Sequence, residues 1–235
     1  MGLRGEADQI IKKSIQAVLP DEAVAKALRG KEFGQGKIYM VAVGKAGWQM
    51  GKAAADILQD RLEAGVVVTK YDHVKGEIPR TRCFEAGHPV PDENSYLATQ
   101  AALDLVAQAS AEDVVVFLLS GGGSALFEKP LVPGDELQDI TTQLLACGAD
   151  IVEMNTIRKR LSAVKGGRFA LACEPAKVFS IVLSDILGDP LDMIASGPAY
   201  PDSSTCEEAL AIAEKYKLTL SEKVWQLLKE ETPEE

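Results

Sequence analysis

One stretch limits the fold more than any other: Val114-Val-Val-Phe-Leu-Leu119 runs straight into Ser120-Gly-Gly-Gly-Ser124-Ala-Leu126. Six apolar, mostly β-favouring residues followed by three glycines read as a buried strand that ends in a tight loop. The backbone of such a loop can approach a ligand closely. Its successive N–H groups, the flanking hydroxyls and a following helix form a concavity suited to an anion. A plain glycine turn at a sheet edge is the alternative for this stretch taken alone.

Further strands are expected at residues 37–43, 65–69, 81–85 and 177–183, each bounded by glycine, proline or polar residues. Helical spacing of apolar residues predicts helices over 6–19, 20–29, 47–62, 92–109, 136–147 and 151–164. Two more are expected after Ser204-Thr-Cys-Glu207, which reads as a capping box, and from Ser221 onward. Strands alternating with helices imply a three-layer α/β/α Rossmann-like domain with a mainly parallel sheet. Residues 1–36 read as a helical lead-in, 37–205 as the motif-bearing core and 206–235 as C-terminal helices of a single domain. In such sheets ligands bind outside the carboxyl ends of the strands. Gly44-Lys45, Gly87-His88, Ser120-Gly121 and Ser184-Asp185 each follow a strand directly, so parallel strands would line all four turns along one edge.

The net charge of −10 argues against a nucleic-acid surface, although a local pocket can still be basic. No apolar run is long enough to span a bilayer, and the N-terminus has neither a signal-peptide core nor a myristoylation motif. Cys83, Cys147, Cys173 and Cys206 form no C-x-x-C pair, and with only His73 and His88 beside them a zinc site is not expected. Reduced cysteines fit a cytoplasmic protein.

Three constellations carry chemistry. Gly44-Lys45-Ala46-Gly47 opens a helix, but Thr69-Lys70 stands where a dinucleotide fold would place its ribose-binding acid, so NAD is disfavoured. A Walker A loop is absent from the sequence. A lysine beside a helix N-terminus faces the positive end of the dipole and is better placed with an anion bound there, the alternative being a side chain that simply points into solvent. In a helix from Asn155 to Lys165, taking about 100° per residue, Asn155, Arg158, Ser162 and Lys165 share roughly an 80° sector with no acidic partner. An external anion is the expected partner, with an ordinary solvated helix face as the alternative. The loop Ser184-Asp185-Ile-Leu-Gly188-Asp189 offers carboxylates that turn chemistry alone would explain, or that bind Mg²⁺ or accept a proton.

In this order, Val43-Gly-Lys-Ala46, Gly87-His-Pro-Val-Pro-Asp92, Ser120-Gly-Gly-Gly-Ser-Ala-Leu126, Asn155-Thr-Ile-Arg158, Leu161-Ser-Ala-Val-Lys-Gly-Gly167, Ser184-Asp-Ile-Leu-Gly-Asp189 and Ile194-Ala-Ser-Gly-Pro198 with Pro201-Asp-Ser-Ser-Thr205 resemble the class-II glycerate kinase family. The resemblance covers residues 38–205 or so. It implies ATP- and Mg²⁺-dependent phosphorylation of D-glycerate, commonly at the 2-hydroxyl. By the same resemblance Lys45 acts near the transferred phosphoryl group and Asp189 is the catalytic carboxylate and Mg²⁺ candidate. Gly44, His88, Ser120, Gly121, Gly122, Gly123, Ser124, Asn155, Arg158, Lys165, Asp185 and Ser196 then bind substrate or phosphate. Family members run longer, so a C-terminal MOFRL domain is expected beyond Glu235. D-glycerate, ATP and that domain are the expected partners, with a homodimer left open and neither nucleic acid nor membrane among them. A non-catalytic module binding a phosphorylated metabolite, or an inactive truncated relative, is the alternative.

Overall fold

A computed structural model describes residues 2–184 and 186–233. Its centre is a sheet of β1 (Ile38–Val43), β2 (Leu62–Lys70), β3 (Thr81–Ala86), β4 (Val114–Ser120) and β5 (Lys177–Leu183). The strands lie in the order β3-β2-β1-β4-β5, and every neighbouring pair is parallel. The expected doubly covered α/β architecture is therefore what the chain adopts. Every residue of β1 and β4 is buried, as their unbroken apolar sequences require of central strands.

Alternation along the strands feeds two cores. Val41, Val43, Val68, Val115, Phe117 and Leu119 face one side, where α4 (Glu93–Val106) packs Ala98, Ala102 and Val106. Phe117 and Phe169, the latter on α8 (Arg168–Ala172), meet there at a ring separation of 4.7 Å. Met40, Ala42, Val67, Val116 and Leu118 face the other side. They pack on Met50, Ala54 and Leu58 of α3 (Gly47–Leu58) and on Val24 and Leu28 of α2 (Pro20–Leu28). A third cluster lies off the sheet. It joins α6 (Gly134–Ala146), α7 (Ile151–Arg160), α9 (Cys206–Lys215) and α10 (Glu222–Leu227) through Leu137, Ile140, Leu144, Ile157, Ala213 and Val224.

One local expectation holds with an addition, and three are corrected. The first helix, α1 (Leu3–Ala17), forms where its periodicity predicts, yet it buries no residue, and Ile10, Ile11 and Ile15 remain exposed. The helix α3 stops at Leu58 because Gln59 takes a φ of 47° and a short 3₁₀ turn follows, so β2 begins at Leu62. The helix α7 ends at Arg160, short of Val164. Beyond it the backbone turns to pair with residues 129–131: Leu131 N–H donates to Leu161 O at 2.9 Å and Ala163 N–H to Lys129 O at 2.8 Å. The cap of α9 is Thr205 with Glu208, one residue later than expected. Ser204 is already committed, since its N–H and hydroxyl both lie 2.9 Å from Asp202 Oδ1.

Asp202 anchors a buried ionic group. It accepts from Lys159 Nζ at 2.8 Å and from the Thr232 hydroxyl at 2.8 Å, while Arg160 donates to Ser204 Oγ and O, each at 2.9 Å. Lys159 and Arg160 are fully buried. Removing the carboxylate takes from buried Lys159 its hydrogen-bonded counter-ion, leaving it only Asp192 at 3.6 Å, while Arg160 keeps Glu231 at 3.2 Å, so Asp202→Ala should destabilise the fold by about 3 kcal/mol in urea unfolding. Burial opposes the charge of Asp202, but the Lys159, Ser204 and Thr232 hydrogen bonds outweigh it and hold its pKa below the ordinary carboxylate value. The resulting stability is complete above about pH 4 and is lost as pH falls towards the lower folded value. Acid unfolding of Asp202→Ala should accordingly be flatter in this range than that of the unaltered chain.

Candidate active site

Strand order reverses between β1 and β4, which leave the sheet side by side and send their chains in opposite directions. The crevice at such a switch point is where α/β sheets bind ligands. The loops that flank it are Gly44-Lys45-Ala46 and Ser120–Ser124, two of the turns expected to share an edge.

These loops are hydrogen-bonded into one unit. The Ser120 hydroxyl donates to Val43 O at 3.2 Å and accepts from Ala46 N–H at 3.1 Å. Lys45 N–H donates to Gly121 O at 2.9 Å, and Thr69 Oγ1 donates to Lys45 O at 3.3 Å. Ser120 is buried, and its hydroxyl braces the loops. Gly44 has a φ of 112°, and a Cβ there would stand 2.3 Å from Ser120 Oγ. Only a glycine allows this approach of β1 to β4.

The pinned backbone leaves the Lys45 ammonium exposed, with no ion pair among the described residues. Gly122 adopts a φ of 90°, and a Cβ on it would lie 3.0 Å from the His88 ring and 3.2 Å from Lys45 Cε. Lys45, His88 and the second glycine therefore converge, as the strand-edge pattern predicts. Half-buried His88 has its pKa lowered by burial first, then by Lys45 and Lys70, which favours the neutral imidazole. The N–H groups of Gly123 and Ser124 open α5 (Gly123–Leu126) and have no intrahelical acceptor. A cavity of about 800 Å³ opens beside Lys45, Ala46, Ser120, Gly121 and Ser184.

The helix-borne residues are placed differently from the expectation. Asn155 and Ser196 are buried together, with the Ser196 hydroxyl donating to Asn155 Oδ1 at 2.9 Å. Ala195, Ser196 and Gly197 all have positive φ, and this strained turn packs Ala195 against Gly123. Arg158 donates from Nη2 to Ser124 O at 3.3 Å. Lys165 lies beyond the end of α7 and is fully buried. Its ammonium donates to Ser124 O at 3.0 Å and Phe127 O at 3.1 Å and lies 2.7 Å from Glu128 Oε2. The expected acid-free face is thus overturned for Lys165, whose partner is a buried carboxylate, and its charge braces the glycine loop from behind.

Glu128 is the residue that sequence reasoning missed. In Phe127-Glu128-Lys129-Pro130 only the apolar run before Glu128 hints at burial. Neither of its carboxylate oxygens accepts a well-directed hydrogen bond among the described residues. Burial and Arg158 lower the pKa of Lys165 and Glu128 opposes them, leaving a net downward shift. Asp189 stands exposed in the loop after β5 with a φ of 47°, and Asp185 lies outside the described residues. Among the described residues no group of three His, Cys, Asp or Glu side chains is placed to hold a metal ion.

Two measurements check this geometry. Lys165→Met should cost about 3–5 kcal/mol, because it leaves Glu128 buried without its cation. Adding Glu128→Leu should restore about 1–3 kcal/mol of that loss in a double-mutant cycle. By proton NMR, the His88 ring should titrate below about pH 6.5, and Lys45→Met should move its midpoint upward.

Residues 6–229 match the family model described as "Domain of unknown function (DUF4147)". The chain is 54% identical over 233 residues to a D-glycerate 2-kinase of Thermotoga maritima, covering 98% of this chain and 55% of that protein. It is 42% identical to a glycerate 2-kinase of Pyrococcus horikoshii, over 93% of this chain and 51% of that protein. A crystal structure of a glycerate kinase from Thermotoga maritima superposes with a TM-score of 0.94 at 53% identity, over 99% of this chain and 56% of that one. The chain therefore spans about half the length of the curated relatives it matches. Both the residues matched and the shared fold show that it belongs to the DUF4147 family, together with the glycerate 2-kinases.

Proposed function

We propose that this chain supplies the phosphate- and substrate-binding half of a cytoplasmic glycerate 2-kinase, which transfers a phosphoryl group from ATP to the 2-hydroxyl of D-glycerate. One observation carries the reading: Lys45 is held, exposed and without a counter-ion among the described residues, at the switch point between two loops locked together by Ser120. Phosphoryl transfer asks a protein for positioning and charge neutralisation more than for covalent chemistry. Lys45 offers a positive charge to the oxygens of the transferred group, and the Gly123 and Ser124 N–H groups offer fixed dipoles beside it. Neutral His88 accepts a hydrogen bond from the acceptor hydroxyl without adding a second positive charge. Arg158 and Asn155 are the helix-borne candidates for the glycerate carboxylate.

Mg²⁺ neutralises phosphate charge when bound, and its preference for oxygen ligands fits the carboxylate of Asp189, which is exposed and free of ion pairs among the described residues. Asp185 is the second carboxylate proposed for that role. The remaining length of the relatives, for which a MOFRL domain is the proposed content, supports an opposing wall for the cleft, in the same chain or a separate one.

A coupled assay with ATP, Mg²⁺ and D-glycerate, run on the chain alone and with that second half, tests the reading. Turnover should fall by about 10²–10³-fold in kcat/KM for Lys45→Ala. Turnover no higher than that of the Lys45→Ala variant would replace the kinase with a non-catalytic metabolite-binding module.

A further inference from the structure

The cavity beside Lys45 has a second wall that the glycine loop does not supply. Its far side is the corner between α1 and α2, where Lys26 and Arg29 stand on the last turn and C-cap of α2. Three residues apart, the two cations share a helix face. Both are exposed, and neither makes an ion pair among the described residues. A helix C-terminus tolerates cations readily, so their presence alone signifies little. Their setting is what matters: Lys26, Arg29 and Lys45 line one enclosure whose described lining includes a single carboxylate, Glu22, in a chain of net charge −10. Three cations around a concavity focus a positive potential on its interior.

The same cavity is apolar at its other end. Val18, Leu19 and Leu183 line it, and Val18 is 72% exposed, an aliphatic side chain presented to the cavity rather than to the core. A volume of about 800 Å³ is far more than a three-carbon acid fills and lies within the range of sites for larger small molecules. His88 and Gly122, by contrast, approach Lys45 from outside this lining.

We propose that this cavity is a nucleoside triphosphate site, with Lys26 and Arg29 holding the phosphates against Lys45 and with Val18, Leu19 and Leu183 receiving the base. The assignment of the nucleotide as phosphoryl donor rests on the kinase reading above. Lys45 then stands between donor and acceptor, with the triphosphate on its α2 side and the acceptor on its His88 side.

Isothermal titration of the full chain with inorganic tripolyphosphate, Mg²⁺-ATP and D-glycerate tests the assignment. The paired change Lys26→Ala and Arg29→Ala should weaken tripolyphosphate and ATP binding at least tenfold and leave D-glycerate affinity in place. Val18→Asn should weaken ATP several-fold without affecting tripolyphosphate. Failure of the unaltered chain to bind tripolyphosphate, or a paired variant within twofold of it, overturns the site. Equal loss of ATP and tripolyphosphate in Val18→Asn overturns the placement of the base. Absence of D-glycerate binding and turnover counts against the kinase reading alone, because tripolyphosphate decides the phosphate site without it.

Discussion

The candidate site depends on the Ser120 hydroxyl. It is a single buried donor and acceptor, and it joins the end of β1 to the end of β4 across the point where the sheet changes direction. A parallel sheet brings these two chain ends close but does not fix how they separate. Satisfying a buried hydroxyl on both sides fixes it, since leaving either bond unmade would cost about 1–3 kcal/mol of desolvation. Glycine at position 44 is the corollary, because the serine occupies the space that a side chain there would need. With the two backbones locked, Lys45 is the first residue free to point away from the sheet. The exposed charge is thus a consequence of the serine that anchors the turn beneath it.

Two buried ionic groups flank this centre and act differently. Asp202 meets Lys159 and Arg160 with hydroxyl and amide donors filling its remaining lone pairs, so its charge is fully compensated. Glu128 meets Lys165 with its oxygens otherwise unserved. Buried pairs of the second kind add little stability over apolar replacements. The Glu128–Lys165 pair is better understood through what the lysine also touches, the carbonyls of Ser124 and Phe127. Its contribution is to hold a loop in place.

Much of this was legible in the sequence. The strands declared themselves because central parallel strands are apolar throughout and end abruptly at glycine or polar residues, and their carboxyl ends located Lys45, His88 and Ser120–Ser124 on one edge. What stayed hidden arises from long-range competition for backbone and side-chain partners. Helical periodicity continues through Leu161 and Val164, yet the backbone there is drawn into pairing with residues 129–131, so an inferred cationic face became a buried brace. Ser204 resembles a cap and is taken by Asp202, 2.9 Å away. Ile10, Ile11 and Ile15 mark a helix correctly but carry no information about what, if anything, that helix packs against. Glu128 is a charged residue whose burial no local pattern encodes.

The carbonyl of Ser124 gives the architecture one more property. It belongs to the sheet-borne loop, yet it receives Lys165 and Arg158 from the chain segment that also builds the off-sheet helical cluster. Loosening that cluster would withdraw two cationic donors from one carbonyl and leave Glu128 buried with no cation. The helical layer and the glycine loop are thereby coupled in unfolding, and a partly melted chain with that loop intact is an energetically disfavoured species.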